Sequence, residues 1–297
     1  MNSAVAASPM PRVTLDQCPI CGQASRRLFQ KYEFWIRECR NCRHRFAELD
    51  TSPTHTDKVY GDDYFHGGGA GYPDYLGESR LLRQHGRRYA KILLKYMQPG
   101  TVLDVGAAAG FILQGLVDAG WCGKGIEPNA SMAAYGRDRL GLNIQVGTLE
   151  QLDNQDVYDL IMMVQVVAHF YDLQQAFQAA SAHTRSGGYW LIETWNYQSW
   201  MARILGTNWH EYSPPSVLHW FAPHDLRQLA AQHGFQQIAY GRPQKWLNGA
   251  HAKSLLQYKL SSSSLGRLLA KLLDLVPDTL DIPYPSEDLF WMLLQKQ

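Results

Sequence analysis

Two pairs of cysteines near the N-terminus have the spacing of a metal site. Cys18 and Cys21 form one C-x-x-C pair, Cys39 and Cys42 form a second, and 17 residues separate the pairs. In a reducing cytosol this spacing favours a four-cysteine zinc site over disulfides. Four thiolates complete a tetrahedral shell, so the Zn²⁺ is expected to be structural rather than catalytic. His44 is the alternative to Cys42 as the fourth ligand.

A glycine-rich turn is the second feature that could do chemistry. The segment Asp104 to Phe111 reads DVGAAAGF and follows a short aliphatic run. A dinucleotide fingerprint needs a glycine where this chain has Ala108, and no G-K-[ST] follows, so close pyrophosphate contact is disfavoured and a P-loop is excluded. Glu127 lies 23 residues after Asp104, where a carboxylate can accept hydrogen bonds from both hydroxyls of a ribose. The turn and the carboxylate favour a ligand such as S-adenosyl-L-methionine.

Alternating strand and helix patterns must position these residues. The predicted strands are 101–105, 123–127, 143–146, 158–167, 189–195, 235–240 and 288–295, and the predicted helices are 77–97, 111–119, 131–140, 173–183 and 223–233. The almost unbroken apolar run at 158–167 is typical of a strand buried on both faces. Repeated βα units require a mostly parallel sheet with right-handed crossovers, so we predict a doubly wound α/β fold. Gly187 and Gly188 are expected to turn the chain before the strand at 189–195.

The sequence divides into four parts. Residues 1–15 are predicted to be a flexible tail, 16–50 a zinc-binding module with a β-ribbon, 51–100 an aromatic and glycine-rich loop with a helix, and 101–297 the main domain with insertions at 196–222 and 241–287. The formal net charge of +1 argues against a protein whose main partner is a polyanion. No run approaches the roughly 18 to 20 apolar residues that span a bilayer, so we expect no transmembrane segment and a cytoplasmic protein.

The main domain resembles class I S-adenosylmethionine-dependent methyltransferases. Residues 102–110 look like the family's first motif and 125–128 like its second, while 158–161 with 165 and 169–172 look like its fourth-strand motif and 186–194 like its fifth. The chain departs from the pattern at Ala108, where the family usually has a glycine. The resemblance implies a mostly parallel, seven-stranded, Rossmann-like methyltransferase sheet, here preceded by a small zinc-ribbon module.

The resemblance also assigns residues to the methyl donor. Glycines of the first motif would lie against its methionine part, the second-motif glutamate would hold the ribose, and residues after the third strand would flank the adenine. Apart from the resemblance, ring faces of Tyr64, Tyr72 or Tyr75 could lie near the sulfonium cation, with packing of the loop over the sheet as the alternative. The residues implied are Tyr64, Tyr75, Asp104, Gly106, Ala107, Gly110, Phe111, Glu127, Pro128, Thr148, Leu149 and Gln165.

Methyl transfer to a hydroxyl, or to a carbon that must lose a proton, needs a general base. His169 follows the fourth strand and is one candidate. His219, in the 196–222 insertion, is the other, with His210 and Glu211 as weaker candidates. For His169 the alternative is that it only orders its loop.

The acceptor has three competing interpretations. A zinc segment joined to such a domain resembles a subset that methylates sugars, glycans and other small intermediates, which implies a small-molecule or glycan acceptor. An RNA methyltransferase is the alternative, because the module is locally basic through Arg26, Arg27, Arg37, Arg40, Arg43 and Arg45. The third hypothesis is a protein that has lost catalysis and docks a partner through the module.

Two apolar patterns add to these hypotheses. Trp195, Trp200, Trp209, Trp220 and Trp246 concentrate around the first insertion, where they could pack a lid, line an acceptor pocket or stack on sugar rings. Leucines at helical spacing in 265–276 predict a helix with one apolar face. That face would cover the active site or a partner in a homodimer, with a membrane surface as the alternative.

Overall fold

The computed structural model describes residues 15–61, 65, 74–152, 155–250, 253, 277 and 280–297. Its strands are β1 (Ser25–Lys31), β2 (Phe34–Cys39), β3 (Arg45–Ala47), β4 (Thr101–Val105), β5 (Cys122–Glu127), β6 (Asn143–Val146), β7 (Tyr158–Val164), β8 (Thr184–Trp195), β9 (His219–Trp220), β10 (Phe235–Gly241), β11 (Trp246–Asn248), β12 (Asp281–Pro283) and β13 (Leu289–Lys296). Its helices are α1 (Pro53–Val59), α2 (Ser79–Leu93), α3 (Phe111–Val117), α4 (Ala130–Leu140), α5 (Leu173–Ala182), α6 (Trp200–Leu205) and α7 (Pro223–Gln232). Across these ranges, no helix has the length and apolar content needed to cross a membrane.

A seven-stranded sheet organises the main domain. Its strand order is β10-β13-β8-β7-β4-β5-β6, and the five strands from β8 to β6 run parallel. Strand β13 runs antiparallel to both of its neighbours, β8 and β10. The predicted α/β fold with a mostly parallel seven-stranded sheet is therefore confirmed. In such a sheet, ligands bind at the carboxyl ends of the strands, where the strand order reverses.

The apolar run in β7 explains why this strand lies at the centre. Leu160 and Met162 pack in one buried cluster with residues of α2 and α3, whereas Ile161 and Met163 pack in another with residues of α5 and α7. All four side chains are 0% exposed. Because successive residues of a strand point to opposite faces, an unbroken apolar sequence is what a strand between two helical layers requires.

The N-terminal ribbon is joined to the main domain. Strands β1, β2 and β3 form an antiparallel sheet, and β9, from the 196–222 insertion, adds a fourth strand beside β3. The side-chain amides of Gln174 and Gln232 donate to the backbone oxygens of Pro19 and Ile20, at 2.6 and 2.9 Å. The ribbon therefore packs as part of the same body as α5 and α7.

The structure corrects the prediction for Gly187 and Gly188. Both glycines lie inside β8, where Tyr158 pairs with Thr184 but Leu160 already pairs with Tyr189. The extra residues on β8 form a bulge, and Gly187 adopts the left-handed φ of +72° that such a distortion demands. A glycine pair in this position marks an irregular strand rather than a turn.

Three predictions fall on segments without a structural description. The flexible tail expected at 1–15 lies outside the described residues except for Leu15. Tyr64 and Tyr72, expected near the methyl donor, lie outside the described residues. The apolar stripe of 265–276 does too, so its proposed roles remain predictions.

Candidate active site

A cavity of about 630 Å³ opens at the carboxyl ends of the central strands. Asp104 from β4, Glu127 from β5, Gln165 just after β7 and Trp195 from β8 all line it. Its volume lies within the roughly 300–1,000 Å³ typical of small-molecule sites. The topology thus collects polar residues from four neighbouring strands around one cavity.

Glu127 and Asp104 form a buried acidic pair on one side of this cavity. Each is 3% exposed. The carboxylate of Glu127 accepts from the backbone N–H groups of Ala108 and Asn129, both at 2.8 Å. Burial raises the pKa of Glu127 to about 7, and burial together with the nearby Glu127 raises the pKa of Asp104 well above its ordinary range. Among the described residues no cationic side chain pairs with either carboxyl group, and such a pair suits a ligand that brings hydroxyl donors and a positive charge.

The glycine turn has the geometry that makes its glycines necessary. Gly106 and Gly110 have φ of +67° and +83°, and a Cβ on Gly106 would lie 2.8 Å from Cγ2 of Val166. Ala108 takes a left-handed φ of +47° and donates its N–H to Glu127. The departure from the family motif is therefore accommodated, with a conformational cost of about 1–2 kcal/mol for the alanine.

Most of the residues expected to bind the methyl donor lie around this cavity. Those that line it are Tyr75, Asp104, Gly106, Ala107, Glu127, Pro128, Thr148, Leu149 and Gln165. Gly110 and Phe111 are absent from the described lining. They lie at the start of α3, where the Phe111 ring stacks on Tyr75 at 5.7 Å.

His169 lines the same cavity in a state suited to accepting a proton. Its Nδ1 lies 2.7 Å from the carbonyl oxygen of Ser216 and 2.8 Å from the hydroxyl of Tyr60. Because a carbonyl oxygen can only accept, Nδ1 carries the hydrogen and Nε2 keeps its lone pair. Burial lowers the pKa of His169 below its ordinary 6.5, so the ring is neutral at physiological pH.

His219 has a different environment. It is buried between the ribbon and the main domain, with Nδ1 3.4 Å from Nε2 of His44 and Nε2 3.1 Å from the oxygen of Phe170. His44 in turn lies 3.7 Å from Asp225 of α7. Among the described residues that line the cavity, His219 is not included. These contacts fit a structural role for His219, in which it holds β9 and the ribbon together.

The sequence did not single out a buried network behind Gln165. Glu193, 0% exposed in β8, accepts from Gln165 at 2.7 Å and from Tyr89, and lies 2.8 Å from Nε2 of His85. Burial opposes its ionisation, but His85 and the hydrogen bonds lower the pKa of Glu193 to about 2. The available signal was one charged residue inside the apolar run of β8, since a buried charge requires partners.

Aromatic and charged residues form another wall of the cavity. Trp195, Trp209 and Trp246 contribute to this wall with Glu211 and Lys245. Of the other two tryptophans, Trp200 is 69% exposed. Trp220 is buried and donates its indole N–H to the backbone oxygen of Glu211 at 2.6 Å. Three of the five tryptophans thus meet at the cavity.

The four cysteines come together in the ribbon. Their Sγ atoms all lie within 4.8 Å of one another, with separations of 3.5 Å for Cys18 to Cys42, 3.4 Å for Cys21 to Cys39 and 3.6 Å for Cys21 to Cys42. A tetrahedral ion with Zn–S distances of about 2.3 Å would place its sulfurs about 3.8 Å apart. Backbone N–H groups also point at Sγ of Cys18 and Cys39, as thiolates require.

Comparisons with known proteins agree on one domain type. A family model described as a methyltransferase domain matches residues 79–240, more than half of the chain. The ubiquinone biosynthesis O-methyltransferase of Paramagnetospirillum magneticum is 27% identical over 124 residues, which cover 39% of this chain and 50% of that protein. The enzyme of the same name from Rickettsia conorii is 29% identical over 124 residues, or 40% of this chain and 41% of that protein. The chain thus spans about half the length, or less, of these curated relatives.

Solved structures show the same fold. Magnesium protoporphyrin IX methyltransferase from Synechocystis, with bound S-adenosylhomocysteine, superposes with a TM-score of 0.50 at 12% identity, over 82% of this chain and 94% of that one. The YcgJ protein of Bacillus superposes with a TM-score of 0.50 at 14% identity, over 72% and 99%. At such identities the likeness concerns the fold alone.

Proposed function

The chain belongs to the methyltransferase-domain family, and from this membership we propose that it transfers a methyl group from S-adenosylmethionine to a small-molecule acceptor. The observation that carries the proposal is the buried pair of Asp104 and Glu127 beside the glycine turn, facing the cavity that His169 also lines. The donor set fits the cofactor, because the pair offers acceptors for ribose hydroxyls and compensation for a cation. When bound, S-adenosylmethionine supplies an activated methyl group on a sulfonium.

The residues of the chain have separable tasks in this proposal. Glu127 would hold the ribose, Asp104 would face the cationic part of the donor, and Gln165 would lie near the sulfonium. His169 would take the proton of the acceptor at Nε2, since its Nδ1–H is held by Ser216. Proton transfer to a positioned base typically contributes about 10²- to 10⁴-fold in rate.

For the acceptor, we propose a sugar-derived or other small biosynthetic intermediate. The tryptophans of the cavity support this choice, since they offer flat faces for a ring. The RNA alternative ranks second, because two carboxylates offset part of the basic charge: Arg26, Arg43 and Arg45 pair with Glu38, and Arg27 and Arg37 pair with Glu48.

We further propose that the four cysteines hold one structural Zn²⁺. The sulfur separations and the N–H groups directed at them support it. The ion would fix the ribbon whose β1–β2 hairpin reaches the cavity through Lys31 and Tyr32. Metal analysis of the purified protein should give one zinc per chain, and well under one zinc would contradict the assignment.

A methyl-transfer screen tests the activity. The protein is incubated with tritiated-methyl S-adenosylmethionine and, separately, with metabolite extract, glycan extract and total RNA. Label is expected in the metabolite or glycan fraction. Label that appears only in RNA would refute the acceptor class, and no label in any fraction, with no binding of the donor, would refute the activity.

A further inference from the structure

The wall of the cavity that contains Trp195 also contains a lysine, Lys245, whose ammonium contacts two uncharged side chains. The ammonium of Lys245 donates to Oε1 of Gln165 at 3.3 Å and lies 5.2 Å from the ring centre of Trp195. Within the described ranges these are its polar and cation–π contacts, and neither partner carries a charge. Because such a cation is partly removed from water and faces a cavity, binding of an anionic ligand beside it is favourable.

Glu211, which lines the same cavity, does not neutralise the charge of Lys245. Burial raises the pKa of Glu211 to about 8, against the opposing effect of Lys245, with Asp288 raising it further. Glu211 is therefore mostly protonated at neutral pH and offers a hydrogen-bond donor rather than a negative charge. An anion beside Lys245 would meet no repulsion from this side chain.

Aromatic side chains define the shape of the same wall. The ring of Trp195 meets His210 and Tyr284 edge to face, with ring centres 4.9 and 6.0 Å apart and planes 89° apart in both cases. Asp288, 0% exposed, accepts from the indole N–H of Trp209 and from the hydroxyl of Tyr284, both at 3.0 Å. These contacts hold the rings in fixed orientations, which suits recognition of a flat ligand.

The position of Lys245 ties this wall to the reacting centre. Gln165 donates to Glu193 through Nε2 and accepts from Lys245 through Oε1, so one amide links the lysine to the end of β7. His169 follows Gln165 by four positions and lines the same cavity. A group bound by Lys245 would therefore be one side chain away from Gln165, the residue expected beside the sulfonium, in the cavity that His169 also lines.

We propose that Lys245, Glu211 and Trp195 form an acceptor subsite for an anionic, ring-bearing molecule, with a carboxylate at Lys245 and one face of the ring against Trp195. This inference rests on the proposed methyl-transfer function, because it names the acceptor's chemical class. A carboxylate on an aromatic ring and a carboxylate on a sugar ring share this chemistry.

Matched acids and amides test the subsite. Calorimetry on the full chain, with and without saturating S-adenosylhomocysteine, compares 2-naphthoate with 2-naphthamide and glucuronate with glucuronamide. At least one acid is expected to bind about tenfold or more tightly than its amide, the ratio that one charge-assisted hydrogen bond gives. The pair that discriminates identifies the ring as aromatic or sugar.

Two variants complete the experiment. Lys245→Gln should bring the acid-to-amide ratio close to one while the fold persists by circular dichroism, and Lys91→Gln, on the exposed face of α2, should leave the ratio as it is. Equal binding of acid and amide, binding of neither acid, or a ratio unchanged in Lys245→Gln would each overturn the proposal. Failure of S-adenosylhomocysteine to bind would instead refute the methyl-transfer function, and the ratio measured without it still judges the subsite.

Discussion

Two buried glutamates should respond in opposite directions to the same substitution. Glu193 is stabilised as an anion, since Tyr89, His85 and Gln165 lower its pKa from an ordinary 4.5 to about 2 despite its burial. Glu150 is stabilised as an acid, since burial raises its pKa to about 7. One pKa unit corresponds to about 1.4 kcal/mol, so each shift represents about 3 kcal/mol of pH-dependent stability.

The sign of each contribution follows from the direction of its pKa. The contribution of Glu193 is present above pH 4.5 and is lost as the pH falls towards 2. The contribution of Glu150 is fully present below pH 4.5 and is lost as the pH rises through about 7. At pH 8 we therefore expect Glu193→Gln to be about 3 kcal/mol less stable than the wild type and Glu150→Gln to be more stable.

Urea unfolding followed by circular dichroism at pH 4, 6 and 8 measures these differences. The stability deficit of Glu193→Gln should be largest at pH 6 and 8 and should narrow below pH 4.5. Thermal unfolding at neutral pH should give a melting temperature roughly 5 °C below that of the wild type. The advantage of Glu150→Gln should grow between pH 4 and 8. Stability changes of the same sign in both variants at pH 8, or a change below about 1 kcal/mol in either variant at that pH, would refute the charge assignments.

Three further substitutions test other parts of the site. Gly106→Ala should weaken binding of S-adenosylhomocysteine and lower stability by about 1–2 kcal/mol, because φ at this position is +67° and the new Cβ would lie 2.8 Å from Val166. Calorimetry measures the affinity and thermal unfolding the stability. An unchanged affinity would contradict the prediction. His169→Ala should lower kcat by about 100-fold or more without changing the affinity for S-adenosylhomocysteine, whereas loss of that affinity would mean that the ring acts structurally. Cys39→Ser should release the zinc and destabilise the ribbon, as metal analysis and limited proteolysis would show, whereas retention of a full equivalent of zinc would contradict the four-cysteine site.

The local pattern of the sequence was sufficient for the central sheet. An apolar run such as β7 can only be satisfied between two layers, and the spacing of glycines and carboxylates at strand ends places them on one edge. The same reasoning could not give the antiparallel direction of β13, because its apolar sequence pairs equally well in either direction. Nor could it find β9, a pair of residues that becomes a strand only by contact with β3.

Side-chain partners were harder to predict than elements. His219 lies in the 196–222 insertion, as the weaker candidates His210 and Glu211 do. A tertiary contact with His44 places its side chain in the interface with the ribbon. Glu193 looked like part of a strand motif, and its role became visible only when α2 brought Tyr89 and His85 beside it. Contacts between residues that are far apart in sequence decide such cases, and no periodicity records them.

Asp104 and Glu127 form the proposed binding site of the methyl donor. Calorimetry with S-adenosylhomocysteine on the wild type and on Glu127→Ala tests it most directly, because two hydrogen bonds to a carboxylate should be lost while the fold persists, as circular dichroism can verify. We predict binding to the wild type and an affinity at least tenfold weaker in the variant. Equal affinity in the two proteins, or no binding to the wild type, would contradict the account.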